Sequence, residues 1–187
     1  MKKKYFLYTL SLFLFGWLSN AQNEYKISIS LKNCPDTLAY LTYYQFDKNL
    51  LKDTCTSIKN GKIIFEGKSK LQKGIYTLVS QQKSIYFDFF VDENSQNLEI
   101  ETEYGQNLVK NLTSNSKTQN NFFDYIRFIG KQGVELQDYK SKINPKTKQD
   151  SLLVLDKQKS LEKDLLDIEE KFILANKGTY IADVVNL

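Results

Sequence analysis

The side chains of this 187-residue sequence with the strongest claim to chemistry are few: two cysteines, Cys34 and Cys55, one acid set among aromatics, Asp88, and three neighbouring tyrosines, Tyr40, Tyr43 and Tyr44. There is no histidine, which removes Ser-His-Asp and Cys-His catalysis and imidazole metal ligation. The sequence contains no CxxC, P-loop or GxGxxG pattern, so no common redox, phosphate or dinucleotide motif stands in for the missing base. Metal binding would fall to carboxylates. The densest pair, Asp92 and Glu93 in "VDENSQN", lacks the spacing of a calcium loop and reads as a polar turn between strands. Asp88 in "YFDFF" would serve as a proton donor if burial raised its pKa. Without a second carboxylate at fixed spacing, it reads instead as an outward-facing or hydrogen-bonded acid. No catalytic residue, metal ligand or cofactor is assigned.

The cysteines call for a geometric test. If "LAYLTYYQ" and "LKDTCTSI" form a hairpin around "FDKNL", Cys55 lies opposite Leu41, seven residues from Cys34. That is about 20 Å along a strand, well beyond the roughly 7 Å between bridged Cα atoms. A disulfide requires the chain to fold back at Pro35, and the expectation is two thiols. The turn Asn60-Gly61 suits a two-residue hairpin that pairs Lys59 with Lys62, Ile58 with Ile63, Thr56 with Phe65 and Cys55 with Glu66. In that register Cys55 faces away from Ile58, Ile63 and Phe65, with no cation or helix start to activate it. Tyr40, Tyr43 and Tyr44, with lysines nearby, are a candidate surface for stacking a ligand or glycan, against the simpler reading of strand packing. "DTL" at 36–38 and "DSL" at 150–152 resemble a short acceptor pattern for envelope O-glycosylation.

These residues must be positioned by two kinds of element. From Tyr25 to Tyr104, short runs rich in Ile, Tyr, Phe, Val and Thr recur about every ten residues, the pattern of an antiparallel β-sandwich or open barrel of about seven strands. "YKISISL" alternates, with Tyr25, Ile27, Ile29 and Leu31 on one face. "SIYFDFFV" is apolar on both faces and is expected to be a central strand covered on both sides. After Ser114 the period becomes helical: "NNFFDYIRFIGKQGVEL" is one amphipathic segment and residues 149–176 another, joined by the polar loop around Pro145. In the second, Val154, Leu161, Leu165, Ile168 and Phe172 share a stripe that reads as packing on a neighbour rather than as a coiled-coil seam. Gly178 and Thr179 suit a helix stop and the cap of a next helix that has hardly begun at Leu187. The fold class is therefore α+β, a β-domain over residues 22–113 followed by a helical hairpin over 114–187. The abrupt ending reads as a connector cut short before a further domain.

Residues 1–21 have the form of an export signal: Lys2, Lys3 and Lys4, the apolar run "YFLYTLSLFLFGWL", and small residues before a cut after Ala21. Cleavage removes three of the 26 basic residues, leaving 23 against 22 acids, so the net charge drops from +4 to +1. Nucleic-acid binding has no support, since the basic excess belongs to the signal and Arg127 is the only arginine. The mature chain is expected in a periplasm or another exported space, with no membrane span after cleavage.

The order "ISISLKNCPDTLAYLTYYQ", "LKDTCTSIKNGKIIFEGK", "GIYTLV" and "FFVDENSQNLEIE", leading through a polar stretch into helices, resembles the domain of unknown function numbered 4369. Its motif is matched by Asp53-Thr54, then Asn60-Gly61-Lys62, then Phe65-Glu66-Gly67. The resemblance implies a non-catalytic β-domain at the N-terminus of an envelope thioredoxin-like thiol-disulfide oxidoreductase of Gram-negative bacteria. The redox CxxC of such a protein would lie in a domain this chain lacks, and "NKGTYIADVVNL" is similar to the helical segment that precedes it. The expected role is a module that positions or recognises a partner, either a thioredoxin-like domain or an envelope protein. The alternative is a stand-alone periplasmic module that binds a ligand or protein.

Overall fold

The computed structural model describes residues 24–186; the export signal read over residues 1–21 lies outside them. Seven strands and a short eighth form two four-stranded sheets. The first contains β1 (Tyr25–Lys32), β4 (Lys62–Gly67), β7 (Asn97–Glu103) and β8 (Thr113–Ser114) in the order β4-β1-β7-β8. The second contains β2 (Ala39–Gln45), β3 (Lys48–Cys55), β5 (Gly74–Val79) and β6 (Ile85–Val91) in the order β3-β2-β5-β6. Helices α1 (Lys117–Ile143), α2 (Lys148–Ala175) and α3 (Tyr180–Val185) follow. The architecture is α+β, a sandwich followed by a helical hairpin.

The alternation in β1 buries Tyr25, Ile27, Ile29 and Leu31 and turns Lys26 and Lys32 outward, as a period of two requires. The same alternation in β7 buries Leu98, Ile100 and Thr102. These strands are neighbours and run parallel, with Ile27 beside Leu98 and Ile29 beside Ile100. Among the described residues this is the one parallel pairing in an otherwise antiparallel pair of sheets. A parallel pair needs a long crossover, supplied here by β2 to β6.

Two expected registers are revised. β2 and β3 meet at a two-residue turn, Phe46-Asp47, with Gln45 opposite Lys48. A bulge at Lys52 shifts the pairing between Leu41 and Thr42, so Cys55 lies opposite Ala39 and not Leu41. Asn60-Gly61 is a tight turn with positive φ at both residues, 52° and 72°. Yet Lys59–Lys62 is the only expected pair that forms, because β3 and β4 belong to different sheets. β4 instead sets Ile63 beside Ile29 and Phe65 beside Ile27, and the turn packs against the end of β1. There Leu31 N–H donates to Gly61 O at 2.8 Å. A Cβ on Gly61 would stand 2.1 Å from Leu31 O, so glycine is needed for contact as well as for φ. Ile58 N–H donates to Thr37 O at 2.9 Å, which carries residues 56–58 across the gap between sheets. With no continuous strand there, Cys55 joins the same core cluster as Ile63 and Phe65, instead of facing away from them.

β6 is also revised, from a central strand to an edge strand. Its inner face, Phe87, Phe89 and Val91, is in the core, while the N-terminal turns of α1 cover its edge. Phe123 meets Phe87 edge-on with centroids 6.4 Å apart, and Phe122 meets Phe90 edge-on at 5.8 Å. The buried Phe90 N–H donates to Gln119 Oε1 at 3.2 Å. An unpaired edge invites association with other chains, and here the first turns of α1 cover the β6 edge at Phe90.

Ser116 caps α1 by accepting from Gln119 N–H, and Asn144 ends it in the left-handed conformation. Thr147 and Asp150 form a capping box that starts α2. The five-residue stripe of α2 lies inward as expected, with Leu161 and Phe172 buried. The Phe172 ring packs 5.0 Å from that of Tyr125 on α1. Gly178 has φ +81° and Thr179 caps α3. Past Tyr125, α1 has no buried residue, so the far half of the hairpin projects from the sandwich. At 1.5 Å per residue the 27-residue helix is about 40 Å long. Among the described residues no helix is long and apolar enough to cross a membrane.

Candidate functional site

The cysteines do not form a reactive pair. Both are free thiols. Cys55 is buried in the core, 9% exposed. Cys34, half-buried in the β1–β2 loop, places Sγ 3.9 Å from the Asp36 carbonyl oxygen. Burial pushes the Cys34 thiol up from its ordinary pKa, away from the thiolate that nucleophilic chemistry needs. Next to it, the buried Asp36 carboxylate accepts from Tyr86 O–H at 2.7 Å and Gln81 N–H at 2.9 Å. Burial and the bond to Asp36 raise the Tyr86 pKa. This cluster ties the β1–β2 loop to the β5–β6 turn.

The three tyrosines do not share a face. Tyr43 turns inward, its ring 5.9 Å from that of Tyr76, which stacks in turn on Phe89 at 6.2 Å. Burial pushes the Tyr76 hydroxyl up to about 12. Tyr40 and Tyr44 point the other way, as alternate residues of a strand must, and the Lys83 ammonium stands 3.3 Å over the Tyr40 ring. The two acceptor-like tripeptides have their hydroxyls engaged: Thr37 O–H bonds to Gln81 Oε1 and Ser151 O–H to Thr147 O. Asp92 closes its turn by accepting from Asn94 N–H and Ser95 O–H. Among the described residues no group of three potential ligands could hold a metal.

Asp88 leads to a feature that periodicity did not reveal. Its carboxylate accepts from Thr77 O–H at 2.7 Å across the β5–β6 ladder. Burial raises its pKa and the Thr77 bond opposes the rise. It lines a groove of about 940 Å³ between the N-terminal half of β6, the 106–110 loop and the face of α1 carrying Ile126, Gly130 and Val134. The walls are largely apolar, and Ile85, Val109 and Val134 are exposed there to 55, 38 and 62%. Arg127 fastens the loop to the helix, donating to Val109 O at 3.2 Å and Leu112 O at 3.0 Å while paired with Asp124. The one sequence signal for this groove was the two-sided apolarity of β6. Its loop, 106–110, and its wall on α1, 126–134, lie well downstream, and no local pattern connects them to β6.

The groove holds one half-buried carboxyl, Asp88, together with Tyr86, Lys110, Arg127 and Lys131, and no second acid or thiol lines it among the described residues. No curated protein and no solved structure matches the chain. The model of one family, Domain of unknown function (DUF4369), matches residues 25–123. That match takes in the whole sandwich and stops at Phe122-Phe123, the two rings that seal the β6 edge. Since it covers more than half of the sequence, the chain belongs to the DUF4369 family.

Proposed function

We propose that this chain is a non-catalytic recognition module of the cell envelope, working beside a thioredoxin-like thiol-disulfide oxidoreductase domain that it helps to position on a partner. The observation that carries this reading is the apolar groove beside β6, built from a sheet edge, a loop and a helix face, with a single carboxyl and no thiol in its lining. Supporting it, the export-type sequence at residues 1–21 directs the chain to the periplasm or another exported space, where such oxidoreductases work. The two thiols are unsuited to redox exchange, one held in the core and the other raised by burial. The hairpin would act as the spacer between the sandwich and a redox domain. The alternative, a stand-alone periplasmic binder of a ligand through Tyr40, Tyr43 and Tyr44, has the weaker basis, because Tyr43 is packed against Tyr76 and Lys83 covers Tyr40.

Insulin-disulfide reduction by the purified chain, with dithiothreitol as electron source, tests the non-catalytic half of the proposal. Turnover at the rate of dithiothreitol alone is expected; repeated catalytic turnover refutes it. The N-terminal residue of the protein recovered from a periplasmic extract tests the location: Gln22 is expected, and retention of the chain in the cytoplasm with Met1 intact overturns it.

A further inference from the structure

We propose that the groove beside β6 takes an extended segment of a partner protein as an added strand, and that it selects apolar residues alternating with acidic ones. This deepens the recognition role proposed above and rests on it.

The backbone of β6 supplies the first argument. Phe90 N–H points away from β5, to Gln119. Along an antiparallel ladder, pairs that exchange hydrogen bonds alternate residue by residue with pairs that do not, so residues two apart share a phase. Asp88, two residues back and opposite Thr77, therefore also turns its N–H and C=O outward. The Thr42 hydroxyl donates to Thr77 O, so the Thr77 carbonyl faces β2, as this phase requires. At Phe90 the protein covers the edge with its own side chain. At Asp88 the edge opens into the groove; the pairing with β5 shifts at Tyr86, so the regular edge offered to a partner backbone is Phe87–Asp88, about 7 Å of strand.

The opposite wall has room for side chains. Gly130 lies in the interior of α1, where glycine is the poorest helix former after proline, and a Cβ built on it meets no heavy atom within 4 Å. No contact among the described residues requires glycine there. Its bare surface, flanked by Ile126 and Val134, leaves space for an apolar side chain from an added strand.

Charge supplies the third argument. Among groove-lining residues, Lys110 and Lys131 form no ion pair within 4 Å among the described residues. Of the nearby acids, Asp124 is paired with Arg127 and Glu135 with Lys157, while the Asp88 carboxylate accepts only from the neutral Thr77 hydroxyl. Lys110 and Lys131 together outweigh Asp88, so the net unpaired charge of the groove is positive, and an incoming carboxylate on the Lys110 and Lys131 side complements it.

The test is selection of a random eight-residue peptide library on phage against the full chain, with the Gly130→Leu variant as counter-target. Leucine fits the open space and is the better helix former, so the variant folds while blocking the groove. The expected result is enrichment of peptides that alternate Val, Ile or Leu with Asp or Glu. Their synthetic forms should lose at least about tenfold in affinity by fluorescence anisotropy on Gly130→Leu, and again on Lys110→Glu with Lys131→Glu. N-methylation of alternate peptide amides should abolish binding in one phase and spare it in the other. Peptides that bind Gly130→Leu as well as the native chain would overturn the groove assignment while leaving the recognition role standing. No enrichment at all would overturn both. A dimer in sedimentation equilibrium that Gly130→Leu dissociates would give the groove to a second copy of this chain and overturn the partner proposal.

Discussion

Substituting Gly61 with alanine separates a turn that merely closes a hairpin from one that is packed into the sandwich. Alanine at φ +72° meets the left-handed penalty of roughly 1–2 kcal/mol. Its Cβ would also stand 2.1 Å from Leu31 O and 2.9 Å from Leu31 C, both backbone atoms that cannot rotate aside. Relief means moving the turn off β1, which puts at risk the bonds from Leu31 N–H to Gly61 O and from Lys62 N–H to Lys59 O. A net hydrogen bond contributes about 0.5–1.5 kcal/mol, so Gly61→Ala should cost about 2–4 kcal/mol. Gly178→Ala is the reference: φ is +81° with no heavy atom within 4 Å of the new Cβ, so it carries the conformational part alone. Urea unfolding followed by far-ultraviolet circular dichroism gives both values, provided the slopes with denaturant agree. Amide exchange at Leu31 should accelerate in Gly61→Ala only. Equal costs for the two variants, with Leu31 still protected, would refute the packing of this turn on β1.

Three further outcomes follow from the same geometry. Asp88→Asn keeps an oxygen for the Thr77 hydroxyl and removes a charge that burial disfavours. With the folded pKa raised, the charge penalty is absent below the ordinary aspartate value of about 3.9 and complete above the raised one. Asp88→Asn should therefore stabilise the protein at neutral pH and leave it unchanged near pH 3, as thermal melts at the two pH values would show. Phe123→Ala removes a fully buried ring from the seal on β6 and should destabilise by about 3–5 kcal/mol in urea, with faster exchange of the Phe90 amide. Thr147→Ala breaks the capping box of α2 and should cost about 0.5–2 kcal/mol. Hydrogen exchange should show that loss in the hairpin and leave β1 and β7 protected.

Much of the fold was legible because its signals are local. The alternation of Tyr25, Ile27, Ile29 and Leu31 needs only the strand's period of two, and the α2 stripe needs only the helix's 3.6. The turn at Asn60-Gly61 and the stop at Gly178 follow from which residues tolerate positive φ. The pairing of strands was not legible in the same way. Nothing within "CTSIKNGKIIFEG" says whether β4 turns back on β3 or crosses to β1, since both satisfy the turn. Burial decides, because Ile63 and Phe65 match Ile29 and Ile27 across the other sheet. The two-sided apolarity of β6 predicts a central strand, yet Phe122 and Phe123, more than thirty residues on, provide the cover. The candidate site shared that fate. Asp88 stands out in the sequence by its aromatic neighbours, but Gly130, Lys110 and Lys131 carry no pattern that points to it.

By itself, then, the sequence determined which chemistries are missing, where strands give way to helices, and which residues of each element face inward. Those properties depend on side-chain type and on periods of two and 3.6, and both are written along the chain. Only the tertiary structure decided that Cys55 is a core residue, that β6 lies at an edge, and that the edge opens beside Gly130 into a groove. Each of these depends on which distant segment wins a place against the same apolar surface, and that competition is settled by burial over the whole molecule.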